Sequence, residues 1–127
     1  MNLQNCAKDR PSDILVLIEG DDGQRRSLQL LLQGRGFDVR AFATARAALS
    51  DPASVEARYL VVDRHLADFD GATVLRMLRM RRWDGTPIMI GAVDDQARQE
   101  ALAGGFAAAV AKPVRQHELL DALTQAR

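Results

Sequence analysis

Charged side chains directly follow three of the five apolar stretches in the sequence. Glu19 follows the first stretch, Asp63 follows the third, and Lys112 follows the last. Carboxylates are ligands for hard cations, and a lysine ammonium is a compact positive charge that pairs with anionic oxygens. The carboxyl ends of parallel strands meet at one edge of a sheet, where ligands bind. The sequence therefore predicts two carboxylates and one lysine at a shared edge.

The elements that must position these side chains alternate between strand and helix. Residues 14–18 and 59–62 are apolar at every position, which is typical of parallel strands covered on both faces. Strands are predicted over residues 14–18, 37–42, 59–62, 87–90 and 106–111, with helices around 28–32, over 44–49, around 74–78, over 96–102 and over 114–123. This order predicts an α/β fold, a doubly wound five-stranded parallel sheet with helices on both faces.

The length of 127 residues fits one domain with a single core. Residues 1–13 are polar and broken by Pro11, which predicts a flexible arm before a domain over residues 14–127. The single cysteine, Cys6, cannot form an internal disulfide and fits a reducing compartment. No apolar run reaches the length of a signal peptide core or a membrane helix, so a cytoplasmic protein with no membrane contact is expected.

The charge balance argues against a nucleic-acid partner. Seventeen basic and seventeen acidic residues cancel, which removes the bulk attraction that binds most proteins to nucleic acid. A local basic stretch is better explained as a solvated helix end. It comprises Arg76, Arg79, Arg81 and Arg82. The expected partner is another protein.

Four motifs in fixed order give the chain a family resemblance. Residues 14–19, 60–63, 70–71 and 111–113 resemble the motifs of receiver domains from two-component response regulators. The resemblance extends from residue 14 to residue 123 and implies a flavodoxin-like (βα)5 fold. Each motif is common by itself, whereas their order and spacing together are specific.

The resemblance assigns roles to the residues at the predicted edge. Asp63 takes the position of the phosphate-accepting aspartate, and Lys112 takes that of the lysine that pairs with the phosphoryl oxygens. Glu19, Asp63 and the backbone carbonyl of His65 match positions that hold Mg²⁺ in the family. Because phosphoryl transfer depends on positioning and charge neutralisation, these groups would supply most of the chemistry.

Several positions depart from the family pattern. Gly20 replaces a metal-binding acid, so weak Mg²⁺ binding is predicted unless Asp21 or Asp22 supplies a ligand. Gly91 and Ala92 occupy the positions where the family has a Thr or Ser hydroxyl. Ala109 replaces the aromatic residue that moves on activation. The scaffold, the acceptor and the lysine persist while the switch positions are lost, which indicates an atypical or degenerate receiver.

Three functions are compatible with these features. The first is a non-enzymatic signalling module that acts by protein contact, with impaired metal binding and switching. Its partners would be a sensor histidine kinase, a phosphotransfer protein or an effector, and a homodimer through the last two strand-helix units stays open. The second is an active phosphorelay carrier. The third, a small flavin- or nucleotide-binding enzyme, is disfavoured because residues 19–23 carry three carboxylates that repel phosphate.

Overall fold

The computed structural model of the protein describes residues 13–125. The strands are β1 (Ile14–Ile18), β2 (Asp38–Phe42), β3 (Tyr59–Asp63), β4 (Thr86–Ile90) and β5 (Ala108–Val110). The helices are α1 (Asp22–Gly34), α2 (Ala45–Leu49), α3 (Gly71–Met80), α4 (Asp95–Ala103) and α5 (Gln116–Gln125), and a 3-10 turn covers Pro52–Glu56. The strands form one parallel sheet in the order β2-β1-β3-β4-β5. The predicted doubly wound α/β fold is confirmed.

The hydrophobic core lies on both faces of this sheet, because consecutive strand residues point to opposite faces. On one face, strand residues such as Val16 and Val62 pack with α2, α3 and α4. On the other face, their neighbours Leu17 and Val61 pack with α1 and α5. β1, β3 and β4 are therefore buried along almost their whole length.

The fifth strand is shorter than the sequence predicts. Only Ala108–Val110 pairs with β4, in place of residues 106–111. The backbone N–H of Phe106 instead donates to the carbonyl of Ala101, and its side chain is buried against the core. The backbone of Phe106 therefore ends α4, its side chain packs in the core, and the strand starts only after it.

The predicted arm over residues 1–13 falls outside the described residues, except for Asp13. The carbonyl of Asp13 accepts a hydrogen bond from the N–H of Asp38 at 3.2 Å, just before β1 pairs with β2. Within residues 13–125, no helix combines the length and apolar character needed to cross a bilayer.

The helices begin at the carboxyl edge of the sheet, and the first four have a side-chain cap. Asp21 caps α1, Thr44 caps α2, Asp70 caps α3 and Asp94 caps α4. In each case the side-chain oxygen accepts a backbone N–H from the first helical turn, a group that has no partner inside the helix. The carboxyl edge is therefore rich in acidic side chains, most of which are already engaged.

Candidate functional site

The three predicted edge residues meet in one ion-paired cluster. Lys112 Nζ donates to Glu19 Oε1 at 2.5 Å and to Asp63 Oδ2 at 2.8 Å. The first contact joins residues 93 positions apart, and the second joins residues 49 apart. The peptide bond between Lys112 and Pro113 is cis. The fold thus brings two carboxylates and one ammonium together at the ends of β1, β3 and β5.

This cluster is largely shielded from solvent. The side chains of Glu19, Asp63 and Lys112 are 2%, 13% and 27% exposed. Burial lowers the pKa of Lys112, but its hydrogen bonds to Asp63 and Glu19 and their negative charges outweigh burial and raise that pKa above its usual value. Lys112 is therefore charged at neutral pH and serves as counter-ion to both carboxylates.

The acidic turn after β1 is engaged in holding α1. Glu19 Oε2 accepts the backbone N–H of Asp21 at 3.0 Å, and Asp21 Oδ2 accepts the N–H of Gln24 at 2.8 Å. Asp22 pairs with Arg25 at 2.6 Å on the exposed surface. Asp21 and Asp22 therefore each have one carboxylate oxygen engaged in contacts within the start of α1.

Two glycines near the cluster differ in the space around them. A Cβ on Gly20 would have the carbonyl oxygen of Ala43, 3.8 Å away, as its nearest contact, so a side chain fits there. Gly91 has φ +93°, and a Cβ there would lie 2.8 Å from Asp63 Oδ1. Gly91 is therefore required by the backbone and by the carboxylate of Asp63, and of these two positions only Ala92 has a conformation open to a hydroxyl-bearing residue.

The loop after Asp63 packs tightly against the end of β3. The N–H of Gly71 donates to the carbonyl of Arg64 at 2.9 Å, and His65 forms an antiparallel bridge with Asp70. A Cβ on Gly71 would lie 2.7 Å from the carbonyl oxygen of Asp63, so α3 starts in direct contact with the backbone of Asp63. The side chain of His65 is exposed, and its predicted role concerns the backbone carbonyl alone.

The carboxylates at this edge do not form a built site for a magnesium ion. Among the described residues, no three His, Cys, Asp or Glu side chains form a group able to hold a metal ion. Glu19 and Asp63 are the two carboxylates at the edge, and both already bind the ammonium of Lys112. Since Mg²⁺ demands near-octahedral oxygen coordination, the residues as arranged do not fit it as a built site.

Beyond the cluster, the β4–β5 side of the edge is lined by small residues. Two adjoining surface cavities of about 210 and 380 Å³ share Arg98, Ala109 and Glu118 in their walls. Val93 lines the first and is 76% exposed. Ala109, where the family resemblance predicts an aromatic residue, lies in the walls of both cavities.

One residue near the site was missed at the sequence level. Asp68 lies in the loop after β3, and its carboxylate accepts the backbone N–H groups of Ala45 and Arg46 at the start of α2. An Asp in a loop normally caps its own turn, and no sequence spacing pairs residue 68 with residues 45 and 46. Only the packing of the loop against α2 shows this contact.

Comparisons with known proteins identify the family of the chain. Residues 15–124 match the family described as response regulator receiver domain. The chain is 28% identical over 108 residues to the cell cycle transcriptional regulator CtrA of Caulobacter vibrioides, covering 84% of this chain and 46% of that protein. It is 33% identical over 118 residues to nodulation protein W of Bradyrhizobium diazoefficiens, covering 89% and 50%. The chain thus spans about half the length of these curated relatives.

Solved structures give the same fold. The chemotaxis response regulator CheY4 of Vibrio cholerae superposes with a TM-score of 0.82 at 19% identity, over 91% of this chain and 99% of that one. A signal receiver domain of an HD domain-containing protein from Pseudomonas fluorescens gives 0.80 at 27% identity, over 92% and 94%.

Proposed function

The chain belongs to the response regulator receiver domain family, and we propose that it is a signalling receiver with Asp63 at the phosphate-accepting position and an impaired metal site and switch. One observation carries the proposal. Lys112 Nζ bonds both Asp63 and Glu19 at the carboxyl edge of the sheet. A cation fixed beside a nucleophilic carboxylate is the arrangement that phosphoryl transfer needs, since the transfer depends on positioning and charge neutralisation.

The chemical step uses one carboxylate oxygen of Asp63. That oxygen forms a bond to the phosphorus of the donor, and the bond between phosphorus and the leaving group breaks with its electron pair. Acetyl phosphate would release acetate, and a phosphohistidine donor would release imidazole. Lys112 stays in place and pairs with the phosphoryl oxygens, so one positive charge remains at the site throughout. Each chain accepts one phosphoryl group, and we assign no catalytic turnover to it.

Weak magnesium binding is part of the proposal. Lys112 already occupies the space between Glu19 and Asp63, and Asp21 is committed to capping α1. Mg²⁺ would have to displace these contacts before it reached both carboxylates. In this proposal the ammonium of Lys112 supplies most of the charge neutralisation, which the family divides between a lysine and a metal ion.

The readout is proposed to act by protein contact on the β4–β5 side. The walls of the two cavities there carry four acidic side chains against one arginine. The acids are Asp94, Asp95, Glu118 and Asp121, and the arginine is Arg98. Because the net charge of these walls is negative, the partner we propose presents a basic segment with an apolar side chain that enters the space over Ala109.

Phosphoryl addition tests the proposal directly. After incubation with acetyl phosphate and Mg²⁺, intact-protein mass spectrometry should show one added phosphoryl group, and Asp63→Asn should abolish it. Asp94→Asn is the matched control, since this carboxylate only caps α4 and should leave the adduct unchanged. An unmodified wild-type chain, or an adduct that survives Asp63→Asn, would contradict the assignment of Asp63.

A further inference from the structure

The loop between β3 and α3 is fixed at its base by backbone contacts. The N–H of Arg64 donates to the carbonyl of Ile90 at 2.8 Å, and the N–H of Gly71 donates to the carbonyl of Arg64 at 2.9 Å. These bonds place the first and last residues of the loop against β3 and β4. Within the tip, around residues 66–69, the N–H of Leu66 donates to the carbonyl of Phe69 at 3.1 Å, and both side chains pack against the core.

The carboxylate of Asp68 binds the tip to the start of α2. Its Oδ1 accepts the N–H of Ala45 at 3.1 Å and that of Phe69 at 3.0 Å, and its Oδ2 accepts the N–H of Arg46 at 2.8 Å. The guanidinium of Arg46 also lies 5.8 Å from the centre of the Phe69 ring. The loop is therefore bound to the start of α2 by charge-assisted hydrogen bonds and by a ring contact.

These bonds complete the capping of α2. The first two amides of the helix donate to Asp68, and the third, from Ala47, donates to Thr44 Oγ1 at 3.2 Å. Thr44 and Asp68 thus cap one helix from two directions. Thr44 belongs to the same segment as the helix, whereas Asp68 belongs to the loop of the acceptor.

The segment that receives Asp68 also holds Glu19. The N–H of Glu19 donates to the carbonyl of Phe42 at 3.0 Å, three residues before Ala45. A series of contacts therefore runs from Asp63 through its loop and Asp68 to the start of α2, then back through β2 to Glu19, in addition to the direct pairing of β1 with β3. Lys112 bonds the residues at both ends of this series.

The charge state of Asp68 fits this role. Burial raises the pKa of Asp68, but the backbone hydrogen bonds from Arg46, Ala45, its own residue and Phe69 together hold it below the usual value. Among residues 13–125, no cation pairs with this carboxylate. Amide groups alone stabilise the anion, so its position is set by backbone geometry.

We propose that Asp68 is a positioning residue for the acceptor site, because it ties the loop that follows Asp63 to the start of α2 and so holds that loop in place beside the acceptor carboxylate. The inference rests on the proposed function of Asp63. Asp68 itself does not touch the phosphoryl group.

The test compares two ways of removing a cap from α2. Asp68→Ala cuts the tie between loop and helix, whereas Thr44→Ala removes a cap of the same helix and leaves the tie intact. We expect Asp68→Ala to slow phosphoryl addition from acetyl phosphate by about tenfold, as loss of a supporting hydrogen-bond partner commonly does. Thr44→Ala should stay within about twofold of the unsubstituted chain, a difference well under 1 kcal/mol. Asp68→Asn keeps one acceptor oxygen and should give an intermediate rate.

Two further measurements separate positioning from general loss of stability. Urea unfolding should show similar destabilisation by both alanine variants, and hydrogen exchange in residues 64–70 should increase only in Asp68→Ala. Equal phosphorylation rates for the two alanine variants, with the unsubstituted chain active, would overturn the inference and leave the proposed function standing. An unsubstituted chain that takes no phosphoryl group would overturn both.

Discussion

The two sides of the carboxyl edge are built in different ways. At the ends of β1 and β3, charged groups from distant segments meet, and Lys112 from β5 joins them. At the ends of β4 and β5, alanines such as Ala92 and Ala109 line open cavities whose other wall residues include acidic side chains that are not part of the Lys112 cluster. The charged side is held by long-range polar contacts, whereas the small-residue side is held by backbone pairing.

In the proposed function, this difference separates accepting a phosphoryl group from reporting it. The charged side retains a nucleophilic carboxylate and a fixed cation, which is what acceptance requires. The small-residue side lacks the hydroxyl and the aromatic ring that would couple the acceptor to the β4–β5 surface. The contrast can be sharpened or broken by substitutions on each side.

Removal of the shared cation should have the largest effect. Lys112→Ala leaves Glu19 and Asp63 as unpaired, mostly buried carboxylates, and breaking such a pair costs about 3–5 kcal/mol. Urea unfolding at neutral pH measures the loss. The control is Arg115→Ala, whose side chain is 72% exposed and lies 3.9 Å from Glu118; a change below about 0.5 kcal/mol is expected. A Lys112→Ala variant as stable as this control would show that the cluster contributes little.

The two glycines give the next largest effect. Gly91→Ala should destabilise the fold by at least about 1–2 kcal/mol, because φ +93° penalises a Cβ and Asp63 Oδ1 lies in its way. Gly20→Ala, whose Cβ would make only an ordinary contact with the carbonyl oxygen of Ala43 at 3.8 Å, should change the unfolding free energy by less than about 0.5 kcal/mol. Equal losses for the two variants would contradict the distinction between a required glycine and a dispensable one.

Restoring a carboxylate at position 20 should sharpen the contrast in metal binding. Gly20→Asp fits sterically and adds an oxygen ligand beside Glu19, so Mg²⁺ affinity should rise by about tenfold. Gly20→Asn is the matched control because it has the same shape without the charge. Isothermal titration of the three chains measures the effect. Sub-millimolar to millimolar binding by the unsubstituted chain, of the kind ordinary for the family, would refute the predicted weakness.

The smallest effect concerns how the hydrogen bonds of the Asp68 carboxylate depend on pH. The folded pKa of Asp68 is lowered from 3.8, so its stabilising contribution is fully present above that value and is lost as the pH falls through the folded pKa. The stability difference between the unsubstituted chain and Asp68→Asn should therefore be constant near neutral pH and shrink below about pH 4. Urea unfolding across this range measures the stability difference, and a difference independent of pH would argue against an ionised Asp68 carboxylate.

Much of the fold could be predicted because its signals are local. Fully apolar strands such as Ile14–Ile18 and the glycine-terminated helices predict the alternation, and the rules for parallel sheets then supply the topology. The end of β5 was less predictable, because Phe106 fits a strand pattern equally well but is used to close α4.

The sequence by itself determined which groups stand at the strand ends, Glu19, Asp63 and Lys112, because strand direction fixes the edge at which they emerge. Only the tertiary structure decided how they are used. It placed one ammonium between two carboxylates, committed Asp21 to a helix cap, made Gly91 obligatory and joined Asp68 to α2. The physical reason is that such contacts depend on distances between segments far apart in the chain, which no local pattern encodes.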